Sequence, residues 1–315
     1  MMISVIFRII CKYVRTLLSS GRARKFDPIA DKRSYVRYLI WSYPTLFLIV
    51  SLLLIISTAT IGLVTNQLEK AEESMKARTL PICQKMSIPA YFNLDSLWDQ
   101  AIVGAPTVGI MIMNPHNGPG AMPSHEYLTA ISKAKSAGIR VLGYVHTRYG
   151  TRSQTDVKSD IDKYKAWYNI SDIFLDEASG QTADLSYYQH LADYIHTTAG
   201  AIVMLNFGIY PDESYMNIGD IANVFENTYS AYPTAQIPSW AFKYPPTKFS
   251  HLIYGADRSA MTHVLALAQQ RNVGYIYVTD GTLPNPWNTL PSYWSSETIQ
   301  LYATCIHKGT NKLPS

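Results

Sequence analysis

Two apolar runs in this chain end in carboxylates: Asp172-Ile-Phe-Leu-Asp176, followed by Glu177, and Asn223-Val-Phe-Glu226. Acids at the ends of two strands can converge at the rim of a barrel, and hydrolysis of a glycosidic bond needs two carboxyl groups arriving from different chain segments. The bland alternatives are that Asp176 caps the following loop and that Glu226 pairs with an arginine. Neighbouring strand residues face opposite sides, so Asp176 and Glu177 share one mouth only if the chain turns between them. One then does chemistry and the other positions substrate.

Further polar groups fall at the ends of other apolar runs. They are Asn114 in Asn114-Pro-His-Asn-Gly-Pro-Gly120, and Tyr144, His146, Arg148 and Tyr149 in Tyr144-Val-His-Thr-Arg-Tyr-Gly-Thr-Arg152. Asn206, Tyr254 and Asp280 end three more. Sugar rings need aromatic platforms, and Tyr149, Tyr229, Tyr254 and Trp287 are the aromatics expected to be exposed in the top-face loops. These ten residues are the candidate substrate-binding set. No G-x-S-x-G elbow, phosphate-binding glycine loop or H-E-x-x-H is present. Among the eight histidines, the near neighbours His190 and His196 are six apart, on different faces of a helix. No zinc site or other cofactor is expected, and the metal-binding Asp/His set that a polysaccharide deacetylase usually needs cannot be assembled.

The elements that must position these groups alternate. Strand patterns cover 87–92, 108–113, 140–145, 172–176, 201–206, 223–226, 251–255 and 274–280, and helical periodicity is clearest in Glu126–Ala137, Asp156–Tyr168, Leu185–Thr198 and Ala260–Arg271. Eight such units within 86–315 predict a (β/α)8 barrel. An open doubly wound sheet is the alternative, but no G-x-G-x-x-G follows any strand. The sixth unit, Tyr229 to Pro246, is rich in proline and poor in helical pattern.

The net charge of +4 conceals a split. Residues 1–37 carry nine Lys/Arg against Asp27 and Asp31, whereas 69–315 carry 18 bases against 21 acids. Nucleic acid is therefore not an expected partner. Residues 38–68 hold no charge, and their core, 46–64, spans about 28 Å as a helix, enough to cross a bilayer. The bases on its N-terminal flank predict a single-pass type II topology, with a cytosolic tail over 1–37, a polar stalk over 69–85 and the barrel outside, at the plasma membrane. The first twenty residues fit either a segment lying on the inner leaflet or a solvated basic tail. Cys83 and Cys305 form the one external cysteine pair, a candidate disulfide or else two buried thiols, and Asn169 begins an N-x-S sequon. The barrel is expected to be a monomer.

Taken together, N-P-H-N-G-P-G, G-Y-V-H-T-R-Y-G-T-R, D-I-F-L-D-E, V-F-E-N-T-Y-S and Y-V-T-D…P-N-P-W-N-T-L-P-S-Y-W resemble the spherulin-4 family over about Ile88 to Cys305. The resemblance implies a (β/α)8 barrel and, from the fungal members, a membrane-anchored endo-α-1,4-N-acetylgalactosaminidase. Such enzymes cut galactosaminogalactan and take part in its biosynthesis. It also implies a catalytic set of Asp176, Glu177 and Glu226. In a retaining mechanism Asp176 would be the nucleophile and Glu226 the acid and base, while Glu177 would bind sugar hydroxyls or tune its neighbour. The chain departs from the pattern at Asn206-Phe207-Gly208, where Asn-Pro-Gly is expected. A non-catalytic polysaccharide-binding surface or spore-coat protein is the alternative function.

Overall fold

In the computed structural model, residues 56, 58–67, 82–94 and 96–306 are described. Eight parallel strands pair in sequence order and close on themselves. They are β1 (Lys85–Ala90), β2 (Val108–Met113), β3 (Arg140–His146), β4 (Ile173–Asp176), β5 (Val203–Asn206), β6 (Ile221–Thr228), β7 (Phe249–Tyr254) and β8 (Tyr275–Val278). Closure runs through Lys85↔Tyr275 and Met86↔Ile276. Lys85 thus belongs to the first strand, not to the stalk expected over 69–85.

Strand alternation sorts the side chains into two cores. Ile110, Ile112, Leu142, Tyr144, Phe174, Met204 and Ile221 fill the barrel. Their neighbours, including Met111, Val141, Ile173 and Val203, belong to the core shared with the helices. Six α-helices surround the sheet: α1 (Ser96–Val103), α2 (His125–Ser136), α3 (Gln154–Tyr168), α4 (Leu185–His196), α5 (Arg258–Gln270) and α6 (Trp294–Ile306). Helix α3 starts where Ser153 accepts from the Asp156 amide and stops at Asn169, whose φ of 51° ends the right-handed turn. Gly143 on β3 is required for its packing, because a Cβ there would lie 2.5 Å from the Tyr164 ring.

The helices that the other units carry are missing after β5 and β6, as the weak helical pattern of the proline-rich sixth unit suggested. Short 3₁₀ turns at Glu213–Asn217, Tyr229–Ala231, Ser239–Lys243 and Pro246–Lys248 take their place. Prolines 233, 238, 245 and 246 supply no backbone donors, so distant side chains secure the loop instead. Arg271 donates to the carbonyls of Tyr232 and Pro233 at 2.6 and 2.9 Å, and the Asn272 amide to those of Ala241 and Tyr244 at 2.9 Å each. Beneath it His251 is fully buried against Tyr232, and burial together with nearby Arg271 pushes its pKa down to about 3.

Strand β6 contains the irregularity that matters most. Its register against β7 slips between Asn223↔Ser250 and Phe225↔His251, so Val224 is an extra residue. In a regular strand Asn223 and Glu226, three positions apart, would face opposite sides. With the bulge, Val224 and Phe225 both enter the outer core, and Asn223 and Glu226 both turn toward the axis.

Cys83 and Cys305 are disulfide-bonded, tying the segment before β1 to the end of α6. Closing a loop of this length (222 residues of separation) restricts the unfolded chain by up to about 5 kcal/mol.

The chain divides into two units, Met1–Arg78 and Thr79–Ser315. In the first, residues 58–67 are helical. Among the described residues no helix is long and apolar enough to cross a membrane. The expected tail (1–37), most of the expected span (38–68) and the stalk up to residue 81 lie outside the described residues.

Candidate active site

The mouth of the barrel is organised by one amide. Asn206, the last residue of β5, donates from Nδ2 to Asp176 Oδ1 at 2.6 Å and to Glu226 Oε2 at 2.7 Å. These two carboxylate oxygens therefore lie within 5.3 Å of each other. Asn206 Oδ1 accepts from Asn223 Nδ2 at 2.7 Å, which fixes the orientation of the bridging amide. The other Asp176 oxygen accepts from Tyr144 Oη at 2.6 Å. Neither bland alternative describes these acids: Asp176 bonds side chains across the mouth, and Glu226 has amide and indole partners where an arginine was the alternative.

The environment separates the two groups chemically. Burial, then the neighbouring Asp176 carboxylate, push the Glu226 pKa up to about 7, against hydrogen bonds from Asn206 and Trp287 that favour the ionised form. Near neutrality Glu226 is thus poised to give or take a proton, as a general acid and base must be. The Tyr144 phenol, raised far above its ordinary value by burial and by Asp176, stays protonated and remains a donor. Trp287→Phe is expected to move the Glu226 titration midpoint upward, because it removes a bond to the charged form. Carboxyl NMR of the labelled glutamate measures this, and an unchanged or lower midpoint would refute that role of the indole.

Glu177 meets the condition that the chain turn after Asp176. Its φ is 50°, a left-handed conformation that redirects the backbone immediately past the strand. The turn is clamped from β3: Thr147 Oγ1 donates to the carbonyls of Asp176 and Glu177 at 2.9 Å each, and the Tyr149 amide donates to the Glu177 carbonyl at 2.7 Å. Arg148 and Tyr149, at φ 48° and 53°, are also left-handed, so three strained non-glycine residues meet at this rim. The Glu177 carboxylate forms no hydrogen bond or ion pair with another described residue.

The remaining candidates separate into groups. Tyr149 is 63% exposed at the rim and Arg148 is exposed beside it, whereas Trp287 is only 5% exposed, correcting its expected role as an open platform. Its ring is packed against Tyr254 and Tyr277, with centroids 6.0 Å away in each case. Tyr254 is accordingly half-buried. Tyr229 is also not an open platform: it is half-buried and its hydroxyl pairs with His263 Nδ1 of α5 at 3.1 Å. Asp280 secures its own loop by accepting from the Ser292 amide at 3.2 Å. Asn114 shapes the β2 loop by accepting from the Gly118 amide at 2.9 Å. His146 Nδ1 lies 3.3 Å from the Asn117 carbonyl and lines a cleft of about 590 Å³ beside the mouth. Asn169 is exposed at the end of α3. Among the described residues no group of three or more His, Cys, Asp or Glu side chains could hold a metal.

Two members of the site escaped sequence reasoning. Tyr91, just past β1, packs edge-on against Tyr144 with centroids 5.7 Å apart, and its phenol is raised first by burial and then by Asp176. Its signal was the strand-end rule applied to the other strands. Asn223 was legible as a polar residue starting an apolar run. Phe207, where proline was expected, donates its amide to the Asn223 carbonyl at 3.1 Å, a bond that proline lacks.

A closed parallel barrel with bridged carboxylates at its mouth is a (β/α)8-barrel protein with an acid pair at the end where such barrels carry their active sites. Residues 85–300 match the model of spherulation-specific family 4, and Spherulin-4 of Physarum polycephalum is 34% identical over 238 residues, covering 70% of each chain. The chain belongs to this family. The crystal structure of Aspergillus clavatus Sph3 in complex with GalNAc has the same fold, with a TM-score of 0.62 and 24% identity over 71% of this chain and 99% of that one. A GH18 chitinase from Pseudoalteromonas aurantia is a looser likeness, with a TM-score of 0.47 and 12% identity over 70% of this chain and 99% of that one.

Proposed function

We propose that this chain is a retaining, endo-acting glycoside hydrolase that cleaves α-1,4-linked N-acetylgalactosamine or galactosamine in galactosaminogalactan during biosynthesis of that exopolysaccharide. The observation that carries the reading is the Asn206 bridge. It holds oxygens of Asp176 and Glu226 within 5.3 Å, which suits the spacing of about 5 to 5.5 Å in retaining pairs better than the roughly 6.5 to 9.5 Å of inverting ones. The hexosamine bound by Sph3, a protein of the same fold, supports the substrate class.

In the first step an Asp176 oxygen attacks the anomeric carbon as the glycosidic C–O bond breaks, and the Glu226 proton passes to the departing oxygen. In the second, Glu226 takes a proton from water, the water oxygen attacks the same carbon, and Asp176 is released. Tyr144 and Asn206 hold Asp176 in place for both steps. The free carboxylate of Glu177 binds sugar hydroxyls, and Arg148 and exposed Tyr149 extend the contact along the rim.

On the same reading, residues 46–64 anchor the chain as a single-pass type II protein of the plasma membrane, with a monomeric barrel outside. Exposed Ile61, Leu63 and Val64 in the helical stretch 58–67 suit a lipid environment, and the Cys83–Cys305 disulfide suits an oxidising one. The deciding experiment follows the anomeric proton of products released from purified polymer by the full-length chain. Initial release of the α-anomer supports the reading. Release of the β-anomer overturns the retaining mechanism, and binding without release favours a non-catalytic polysaccharide-binding protein.

A further inference from the structure

One buried acid is not among those at the barrel mouth. Two acids are buried among the described residues, and Asp160 is matched by Arg152 and Lys163. The other, Glu297 in the first turn of α6, is fully buried and forms no ion pair with a described residue. Its Oε1 accepts from the Val278 amide of β8 at 3.0 Å, and its Oε2, equally enclosed, has no partner among the described residues. Sequestering a carboxyl from water without a base is costly, and leucine would fill the space without that cost.

Successive amides of a strand point to opposite neighbours. The Thr279 amide donates to the Ile253 carbonyl of β7 at 2.9 Å, so the Val278 amide faces the β1 side. Pairing between β8 and β1 covers Lys85↔Tyr275 and Met86↔Ile276 and goes no further, which leaves Val278 without a strand acceptor there. Glu297 fills that place. Burial raises its carboxyl well above the ordinary range, so near neutrality it is uncharged and serves as a neutral acceptor, as a strand carbonyl would. Tyr277, the residue before Val278, carries the ring against which Trp287 packs, with centroids 6.0 Å apart, and its hydroxyl donates to the Thr289 carbonyl at 3.5 Å. The end of β8 is thus the seat of the loop that brings the indole to Glu226.

We propose that Glu297 is a positioning residue: by standing in for a β1 carbonyl on Val278 it fixes the end of β8, and through the Tyr277 ring it holds the Trp287 indole on Glu226. Its bearing on catalysis rests on the glycosidase reading, whereas the geometry it imposes does not. The role needs an acceptor of this length and no charge, so glutamine can fill it and leucine cannot.

The test uses the full-length chain with isotope-labelled tryptophan, the Trp287 indole N–H signal being the one lost in Trp287→Phe. In the parent that NMR signal is expected to shift as Glu226 ionises, with a midpoint at about 7. Glu297→Leu should abolish the shift and lower kcat by about tenfold with KM little changed, since the acid is still present but loosely held. Glu297→Gln should keep both the shift and the rate. A merely structural role predicts a lower melting temperature for the Leu variant with the indole shift intact, and that result overturns the proposal. So does a parent signal that ignores pH, or a Gln variant that loses the shift. Where Leu prevents folding, the Gln variant decides by itself, keeping the shift if a neutral acceptor is enough and losing it if not. If the parent cleaves no polymer, the glycosidase reading fails separately and the indole signal still decides this one.

Discussion

Asp176→Asn is expected to lower oligosaccharide release by about 10⁴-fold, or roughly 5.5 kcal/mol of transition-state stabilisation at 1.36 kcal/mol per factor of ten. The amide is nearly isosteric, so the barrel should fold. Its oxygen can still accept one of the two bonds now made by Tyr144 and Asn206, and the Tyr144 hydroxyl can rotate to accept from the new NH₂. What disappears is the nucleophile. Circular dichroism and thermal melting verify folding, and retained polymer binding shows that the groove survives. The sharper readout is chemical rescue. Asp176→Ala supplied with azide should yield a glycosyl azide of inverted configuration, because the small anion enters from the face the carboxylate had occupied. An Asp176→Asn variant keeping a tenth of the parent rate would remove Asp176 from the nucleophile's place.

Glu226→Gln is expected to cost about 10² to 10⁴ in rate, the usual contribution of a general acid and base. The pH profile carries the assignment. Burial and the neighbouring Asp176 hold Glu226 up to about 7. Below that pH it is protonated and can donate to the leaving oxygen; above it the parent's rate should fall, and the variant should lack that alkaline limb. The same shift has a consequence for stability. Between the ordinary value of 4.5 and the folded value of about 7, the folded chain binds more protons at this position than the unfolded chain does. Stability linked to Glu226 is therefore fully present below pH 4.5 and lost as pH rises toward 7. Gln, uncharged throughout, escapes that loss. Its melting temperature relative to the parent should rise from pH 4 to pH 8. A difference independent of pH would contradict the burial of the Glu226 carboxyl.

The two variants also separate the roles. Loss of the nucleophile should affect substrates whatever their leaving group. Loss of the acid should matter less for an activated phenolic leaving group, which departs without a proton. Equal losses on both kinds of substrate would leave Glu226 without its role as acid.

The sequence by itself determined the strand count, the approximate strand ends and the acids carried there. Alternation in VGIMIM and the apolar runs before Asp176 and Asn206 are local patterns, produced by the two-residue repeat of a strand and the need to fill a barrel. Boundaries moved by up to about two residues because pairing with a neighbour extends or shortens a strand, as Lys85↔Tyr275 does for β1. The motif comparison also reached the family, since it used several separated segments in order.

Only the tertiary structure decided how these groups meet. The slip at Val224 is a property of β6 against β7, and it turns Asn223 and Glu226 to the same side. Polar-apolar-apolar-polar spacing in Asn223-Val-Phe-Glu226 is compatible with it, but a bulge is defined only when a partner strand sets the register. Trp287 and Tyr229 were expected to be exposed because both lie in loops. Trp287 instead folds inward onto Tyr277 and Glu226, and Tyr229 pairs with His263, since which aromatics a loop buries depends on what lies beneath it. The Asn206 bridge joins side chains from three strands at about 2.7 Å. Local propensity places each residue on its strand; the shear and closure of the barrel bring their ends within reach of one amide.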